Sequence, residues 1–345
     1  MVMQSGRGGS GRITLLDVAE AAGVSRATAS LVIRKSPLVA DETRLRVEQA
    51  IARLGYVYNM GAASMRATRS NTVGVLIPNL GNPFFAAMLA GIERALEDAG
   101  MIVVLANSRE SAASQETIIH RMRERGVDGL ILCPVADTRS SLLAKAADWR
   151  LPVVQALRHV SESRGDYAGT DYGGGMRQAV EHLASLGHRR IAFAVGGPVH
   201  SAYRERLAGF RAAMADHGLD PGAVIDVPLG PAESARAAGG LLDHPARPTA
   251  VVCFNDIMAG GLSNGLTDRG VRVGAEFSVV GFDDLAEAEL VRPRLTSIAT
   301  FPAEIGDSAA RLLLARLEAP ERADRRVVNL TRLVLRQSTA APPPD

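Results

Sequence analysis

The chain has 345 residues, 47% of them hydrophobic and 22% charged, which excludes a wholly disordered protein and allows two or three domains. No run of about 18 apolar residues occurs, and the opening MVMQSGRGGSGR lacks the apolar stretch of a secretory leader, so a cytoplasmic protein with no membrane partner is expected. The net charge is only +2, but residues 1–70 carry ten Arg and Lys against five Asp and Glu while the remainder carries 29 against 32, an asymmetry that points to a polyanionic partner.

The first predicted element starts at Thr14, which has the spacing of an N-terminal cap with Asp17. Val18, Ala19 and Ala22 form its apolar stripe, and Gly23 ends it. Val24 turns inward and Ser25 caps a second helix. There Ala29 and Val32 continue the apolar face while Arg26, Ala27, Ser30 and Arg34 face outward. Two short helices about one turn make a helix-turn-helix. A third helix, from Asp41 to Leu54, brings Val47, Ala50, Ile51 and Leu54 to the same core. An ordinary helical hairpin has the same pattern, and the local basic charge favours DNA binding over it. Residues 55–70, GYVYNMGAASMRATRS, fit neither a long helix nor a strand and read as a hinge. A helix of about eight residues is marginal in water, and Gly61 weakens it by about 1 kcal/mol relative to alanine. It therefore needs a partner, either its twin in a dimer or a DNA groove.

From NTVGVLIPNL onward, apolar runs alternate with helical or polar stretches: GMIVVLANS, GVDGLILCPV, LPVVQAL, RRIAFAVGG, TAVVCFND and SVVGFDD. This is the signature of parallel α/β sheets, and the length suggests two doubly wound lobes. Ligands of such sheets bind beyond the carboxyl ends of the strands. Candidates there are Phe84 or Phe85 of NPFF, which either cover a ligand face or pack a helix start. Arg206 of RERLAGF can grip a carboxylate or paired hydroxyls, with Arg204 as a solvated neighbour. Asn255 and Asp256 after TAVVCF, and Asp283 after SVVGF, either bind a ligand or cap helices.

No phosphate-binding G-x-x-x-x-G-K-[ST] or metal-binding H-E-x-x-H motif occurs. His182 and His188 stand six apart in EHLASLGHRR, on opposed faces of a helix. Cys133 and Cys253 sit in apolar runs and read as small hydrophobes. No catalytic residue, metal or cofactor is expected. The alternative reading is an α/β small-molecule-binding protein or enzyme whose headpiece does not bind DNA; turnover of a ligand separates the enzyme from a regulator.

The chain resembles the LacI/GalR family of bacterial transcription regulators. TLLDVAEAAGVSRATAS, SPLVADETRLRVEQAIARLGYVYN and AASMRATRS match its DNA-binding headpiece in order and spacing; NPFF, EHLASLGHRRIAF, RERLAGF, CFNDIMAGG and SVVGFDD match its effector-binding core, over about residues 12–338. The resemblance implies an N-terminal all-α helix-turn-helix headpiece and an α/β two-lobed, periplasmic-binding-protein-like core of two doubly wound parallel sheets. Its domains are a flexible extension at 1–12, the headpiece at 13–58, a hinge at 59–70, the core at 71–338 and a flexible tail at 339–345. The N-lobe takes about 71–169 and 300–329, the C-lobe about 170–299 and 330–338.

By the same resemblance, DNA contacts come from Thr14, Leu15, Ser25, Arg26, Ala27, Thr28, Ser30, Asn59, Ala62 and Met65. Arg26 and Ala27 face base edges, Asn59 lies on phosphate, and Met65 stands where the family usually has a leucine wedge. Effector contacts come from Phe84, Phe85, Arg158, Arg206, Asn255, Asp256 and Asp283. The implied function is a repressor whose affinity for its operator is set allosterically by a small molecule, a sugar or related metabolite. The implied partners are double-stranded DNA with a near-palindromic operator, that effector, and a second copy of the chain.

Departures from the family pattern are Ala29 for a valine behind the recognition helix, Leu31 at a site often polar or basic, and Ala40 for a serine cap. Leu157 replaces an aspartate before Arg158. Thr300, Phe301 and Pro302 stand where some sugar-binding members use glutamine and a following aromatic. The ending RQSTAAPPPD lacks heptads, so a dimer rather than a tetramer is expected.

Overall fold

The computed structural model describes residues 13–57, 69–161, 164–220 and 223–344. Asn59, Ala62 and Met65, and with them the expected hinge, lie outside the described residues. The chain divides into two units, Met1–Ser70 and Asn71–Asp345.

Among its described residues the first unit has three helices: α1 (Leu15–Ala22), α2 (Arg26–Ile33) and α3 (Asp41–Leu54). Thr14 and Asp17 form a reciprocal cap. The Asp17 N–H donates to Thr14 Oγ1 at 3.4 Å, and the Thr14 N–H donates to Asp17 Oδ2 at 2.7 Å. These hydrogen bonds from Thr14, its backbone N–H first, hold the Asp17 carboxyl below its ordinary pKa. Gly23, at φ +64°, ends α1 in the left-handed region, where a residue without Cβ is unstrained. The Thr28 N–H donates to Ser25 Oγ at 3.1 Å and starts α2. Ala40 gives α3 no side-chain cap, and Asp41 and Glu42 occupy its first turn, where negative charge is favoured. The shared core is Val18, Ala19, Ala22, Ala29, Val32, Val39, Val47 and Ala50. Nothing in it exceeds valine, so the helices can approach closely and each side chain carries a large share of the buried area.

In the second unit strands and helices alternate. The order is β1 (Thr72–Ile77), α4 (Pro83–Glu97), β2 (Ile102–Asn107), α5 (Ala112–Glu124), β3 (Gly129–Leu132), α6 (Ser141–Asp148), β4 (Val153–Ala156) and β5 (Asp166–Thr170). It continues through α7 (Tyr172–Ser185), β6 (Ile191–Val195), α8 (Ser201–Asp216), β7 (Val224–Asp226), α9 (Pro231–Leu242), β8 (Ala250–Cys253), α10 (Asp256–Thr267) and β9 (Ser278–Asp283). The last elements are α11 (Glu287–Leu290), β10 (Thr296–Ala299), α12 (Pro302–Glu318), β11 (Arg326–Asn329) and β12 (Arg332–Val334).

One sheet runs β11-β5-β4-β3-β1-β2, parallel throughout, with Val75 between Ile131 and Leu105. The other runs β12-β10-β9-β8-β6-β7 and is parallel except for the β10–β12 pair. The chain passes between the sheets after Thr170, after Ala299 and after Asn329. Strands β3, β5, β6, β8, β9 and β10 are buried along their whole length, as strands covered on both faces by helices should be.

Helix α12 returns to the first sheet and packs on α4 without clearance. A Cβ on Gly91 would lie 1.9 Å from the Ala303 carbonyl oxygen, and one on Gly306 would lie 2.0 Å from that of Met88. Buried Asp166 ties β5 to this helix and to the loop that follows it, accepting from Arg316 Nε at 2.9 Å, Arg322 Nη2 at 2.8 Å and the Arg325 N–H at 2.9 Å.

Two expectations need correction. His188 lies beyond the end of α7, so helical spacing does not relate it to His182; its Nδ1 pairs with Thr249 Oγ1 at 2.8 Å and its Nε2 reaches the Ala340 carbonyl at 2.9 Å. The tail expected to be flexible is held at its start, where the Ala340 N–H donates to Ser278 Oγ at 3.0 Å and Thr339 Oγ1 pairs with His182 Nε2 at 3.0 Å. Among the described residues no helix is long and apolar enough to cross a membrane.

Candidate functional site

Two sites emerge, one on each unit. On the first, the face of α2 opposite Ala29 and Val32 presents Arg26 and Ala27, both exposed, with Thr28 and Ser30 half-buried beside them. A long cation beside a methyl group at a helix N-terminus is a shape that can enter a nucleic-acid groove, where the open N–H groups also favour phosphate. Thr14 and Ser25 are exposed as well, but their hydroxyls already serve the caps: Thr14 Oγ1 donates to Asp17 Oδ2 at 2.8 Å, and Ser25 Oγ takes the Thr28 N–H. Leu15 and Leu31 lean on the core. Leu15, expected at the DNA, therefore offers only the edge that packing leaves open.

On the second unit, the loops after β1, β4, β8 and β9 surround a cavity of about 90 Å³. Asn82 starts α4 by accepting the Phe84 N–H at 2.9 Å. That cap fixes Phe84 and Phe85, both buried, with ring centroids 5.8 Å apart and planes at 78°. After β4, Leu157 adopts φ +63° and the Arg158 N–H donates back to the Ala156 carbonyl at 2.7 Å, a strained three-residue turn. Tyr172 Oη holds it by donating to the Leu157 carbonyl at 3.1 Å. The turn aims Arg158 at Glu110, which it grips through two hydrogen bonds of 3.0 and 2.9 Å.

Arg206 is the other cavity arginine and is differently placed. Its guanidinium lies 4.0 Å from the Tyr172 ring centroid and 4.4 Å from those of Phe254 and Phe282. Among the described residues its Nη1 reaches only the Ala202 carbonyl at 3.4 Å, and its buried Nε has no partner there. Asp283 Oδ1 stands 3.7 Å from Nη2, an ion pair too long for a hydrogen bond. Burial raises the Asp283 carboxyl well above its ordinary pKa, against the pull of Arg206. A buried cation with most donors idle is costly, and a ligand that completes it recovers that cost on binding.

The remaining sequence candidates part company. Asn255 caps α10, its Oδ1 accepting the Met258 N–H at 2.9 Å, and also faces the cavity. Asp256 does not line the cavity. Its oxygens accept from the Leu285 N–H at 2.7 Å and from Ser297 Oγ, so it braces β10 against α10, and burial raises its carboxyl to about 7. Sequence reasoning missed His200, Tyr172 and Phe254 on the wall. His200 had a signal, since it directly precedes the helix that carries Arg206. Burial, then the charges of Arg158, Arg206 and Arg204, lowers its imidazole to about 2. Cys133 is buried and its thiol is pushed up to about 12, far from a reactive thiolate.

Comparison with known proteins agrees with this division. Residues 14–59 match the family described as "Bacterial regulatory proteins, lacI family", and residues 180–339 match the "Periplasmic binding protein-like domain". The HTH-type transcriptional repressor PurR of Photobacterium profundum is 33% identical over 339 residues, covering 94% of this chain and 98% of that protein. The lac repressor dimer bound to operator and the anti-inducer ONPF superposes with a TM-score of 0.88 at 29% identity, covering 96% of this chain and all of that one. The transcriptional regulator CelR, solved in complex with cellobiose, gives 0.72 at 33% identity, covering 95% and 100%. Each of the three is named as a regulator or repressor and none as an enzyme.

Proposed function

This chain belongs to the lacI family of bacterial regulatory proteins and is a DNA-binding transcription regulator; from that premise we propose that it is a homodimeric, cytoplasmic repressor. Two headpieces hold the half-sites of a near-palindromic operator. A small molecule, a sugar or related metabolite, enters the cavity between the two sheets, is bound without turnover, and shifts the fraction of molecules able to hold DNA. The coupling is reciprocal, so operator and ligand change each other's affinity by the same factor.

In this reading α2 lies in the major groove. Arg26 donates to O6 and N7 of a guanine, a contact worth about 1–3 kcal/mol of discrimination, and Ala27 leaves room for the approach. Thr14 and Ser25 meet the phosphate backbone, and Thr28 and Ser30 meet the backbone or the bases. Asn59, Ala62 and the Met65 wedge act from the hinge, ordered in pairs on DNA. Phe84, Phe85, Arg158, Arg206, Asn255 and Asp283 receive the ligand. Asp256 acts behind the site by holding Leu285 and Ser297.

What supports the reading is the presence in one chain of an outward Arg26 and an inward, under-satisfied Arg206. One suits a polyanion and the other a small molecule that fills a cavity. Fluorescence anisotropy of the full chain on DNA flanking its own gene and on scrambled DNA, across a salt series, tests it. Tight binding to the flanking DNA that weakens with salt is the expected result, and equal affinity for both DNAs overturns it. In the same assay Arg26→Ala should relax preference at one base position; unchanged preference refutes the guanine contact. Sedimentation at micromolar protein should give a dimer.

A further inference from the structure

His200 has half of its hydrogen bonding complete. Its Nδ1 accepts the Tyr203 N–H at 3.2 Å, so the ring proton of the neutral form sits on Nε2. That nitrogen has no partner among the described residues, although the residue is only 6% exposed and lines the cavity. The depressed basicity of the buried ring keeps it uncharged at neutral pH. It therefore presents one fixed donor and no acceptor.

The rest of the wall has the same bias. The side-chain oxygens of Asn79, Asn82 and Asn255 accept backbone N–H groups of Gly81, Phe84 and Met258, each at 2.9 Å. Those bonds orient the amides and leave three NH2 groups as donors. Arg158 is tied to Glu110 and Arg206 faces the Asp283 carboxyl at 3.7 Å. Each cavity cation thus already has a carboxyl beside it that an acidic ligand group would have to crowd, and a cationic ligand meets mostly donors.

Resting on the reading of this cavity as the regulator's ligand site, we propose that His200 is a specificity-determining residue. Its Nε2–H donates to an acceptor-only atom, a carbonyl or ring ether oxygen, of an uncharged, oxygen-rich cyclic ligand. A ligand hydroxyl fits the gap between Arg206 and Asp283, accepting from the guanidinium and donating to the carboxylate. The Phe84, Phe85 and Phe254 rings cover the apolar faces of the ligand ring.

His200→Asn tests this, because Oδ1 replaces Nδ1 as the cap for Tyr203 while the far donor is withdrawn. Titration calorimetry of the full chain, without DNA, uses as probes neutral pentoses and hexoses, their lactones, their aldonic acids and their phosphate esters. At least one neutral probe should bind, with its acid and phosphate forms tenfold weaker or worse. His200→Asn should weaken the neutral probe about tenfold or more and leave the unfolding midpoint of the ligand-free protein at pH 7 unchanged. Unchanged affinity in His200→Asn, preference for an acid or phosphate, or silence across the neutral probes overturns the proposal. No DNA enters the titration, so failure of operator binding bears on the regulatory reading alone.

Discussion

Arg26 and Arg206 stand in opposite surroundings within one chain. Arg26 is exposed on α2, hydrated until a partner arrives, and its presence costs the headpiece almost nothing. Arg206 is 5% exposed, sandwiched between aromatic rings and short of hydrogen-bond partners. The first is an affinity set by long-range charge and by whatever groove presents acceptors. The second holds interaction energy in reserve, because a ligand that meets Nε and bridges to Asp283 completes hydrogen bonds the protein leaves open.

Removing Arg206 is the strongest way to break this comparison. Arg206→Ala should weaken ligand binding about 100-fold or more, in line with truncation of a buried charged group at an interface. Operator binding of the ligand-free protein should persist, since α2 is untouched. Calorimetry with a neutral ligand and anisotropy on the operator read the two effects separately; loss of both together would show that Arg206 holds the fold rather than the ligand.

The next effect sharpens the contrast from the other side. Val47 is fully buried in a headpiece core built of valine and alanine. Val47→Ala should cost that unit about 2 kcal/mol and weaken operator binding, while ligand affinity stays within twofold. Circular dichroism melting and the same two binding assays check it. Equal losses in both assays would mean that the two units do not keep separate stabilities.

These two regions were also unequally legible in the sequence. The headpiece is local: Thr14 with Asp17, Gly23, Ser25 and the 3.6-residue spacing of Val47 and Ala50 lie within a few turns, and α3 runs from Asp41 to Leu54 as its periodicity predicts. The sheets were legible as a class because buried parallel strands read as continuous apolar runs. The cavity depends on side chains far apart in the chain. Arg206 and Asp283 carried motif signals, whereas Tyr172 reaches the same space through the crossing after Thr170, His200 through the start of α8 and Phe254 through the end of β8. Asp256 looked like its neighbour Asn255 in the sequence. Only the position of Ser297 on β10 and the Leu285 N–H decides that it is a brace.

A last effect concerns pH and separates His200 from the acids around it. A histidine lowered to about 2 in the folded protein is protonated in the unfolded chain below about 6.5, so the stability it permits is present above that value and is lost as pH falls, by about 1.4 kcal/mol per unit. Half-buried His182 and buried His188 are lowered too and act in the same direction. Asp256 acts oppositely. Its carboxyl, raised to about 7, keeps its proton in the folded state while the unfolded chain has lost one, so its contribution fades as pH rises from about 4 to 7. Asp283 has the same sign. Wild-type protein thus mixes gains and losses between pH 7 and pH 5. His200→Asn removes only the His200 loss and should retain about 2 kcal/mol more stability than wild type at pH 5 than it does at pH 7. Trp149 is the single tryptophan and lies in the second unit, so denaturant midpoints followed by its fluorescence report the unit that holds His200. Parallel acid limbs in the two proteins would mean that the imidazole can take up a proton in place, and a ligand would then meet a cation where the geometry of the Tyr203 cap requires a neutral donor.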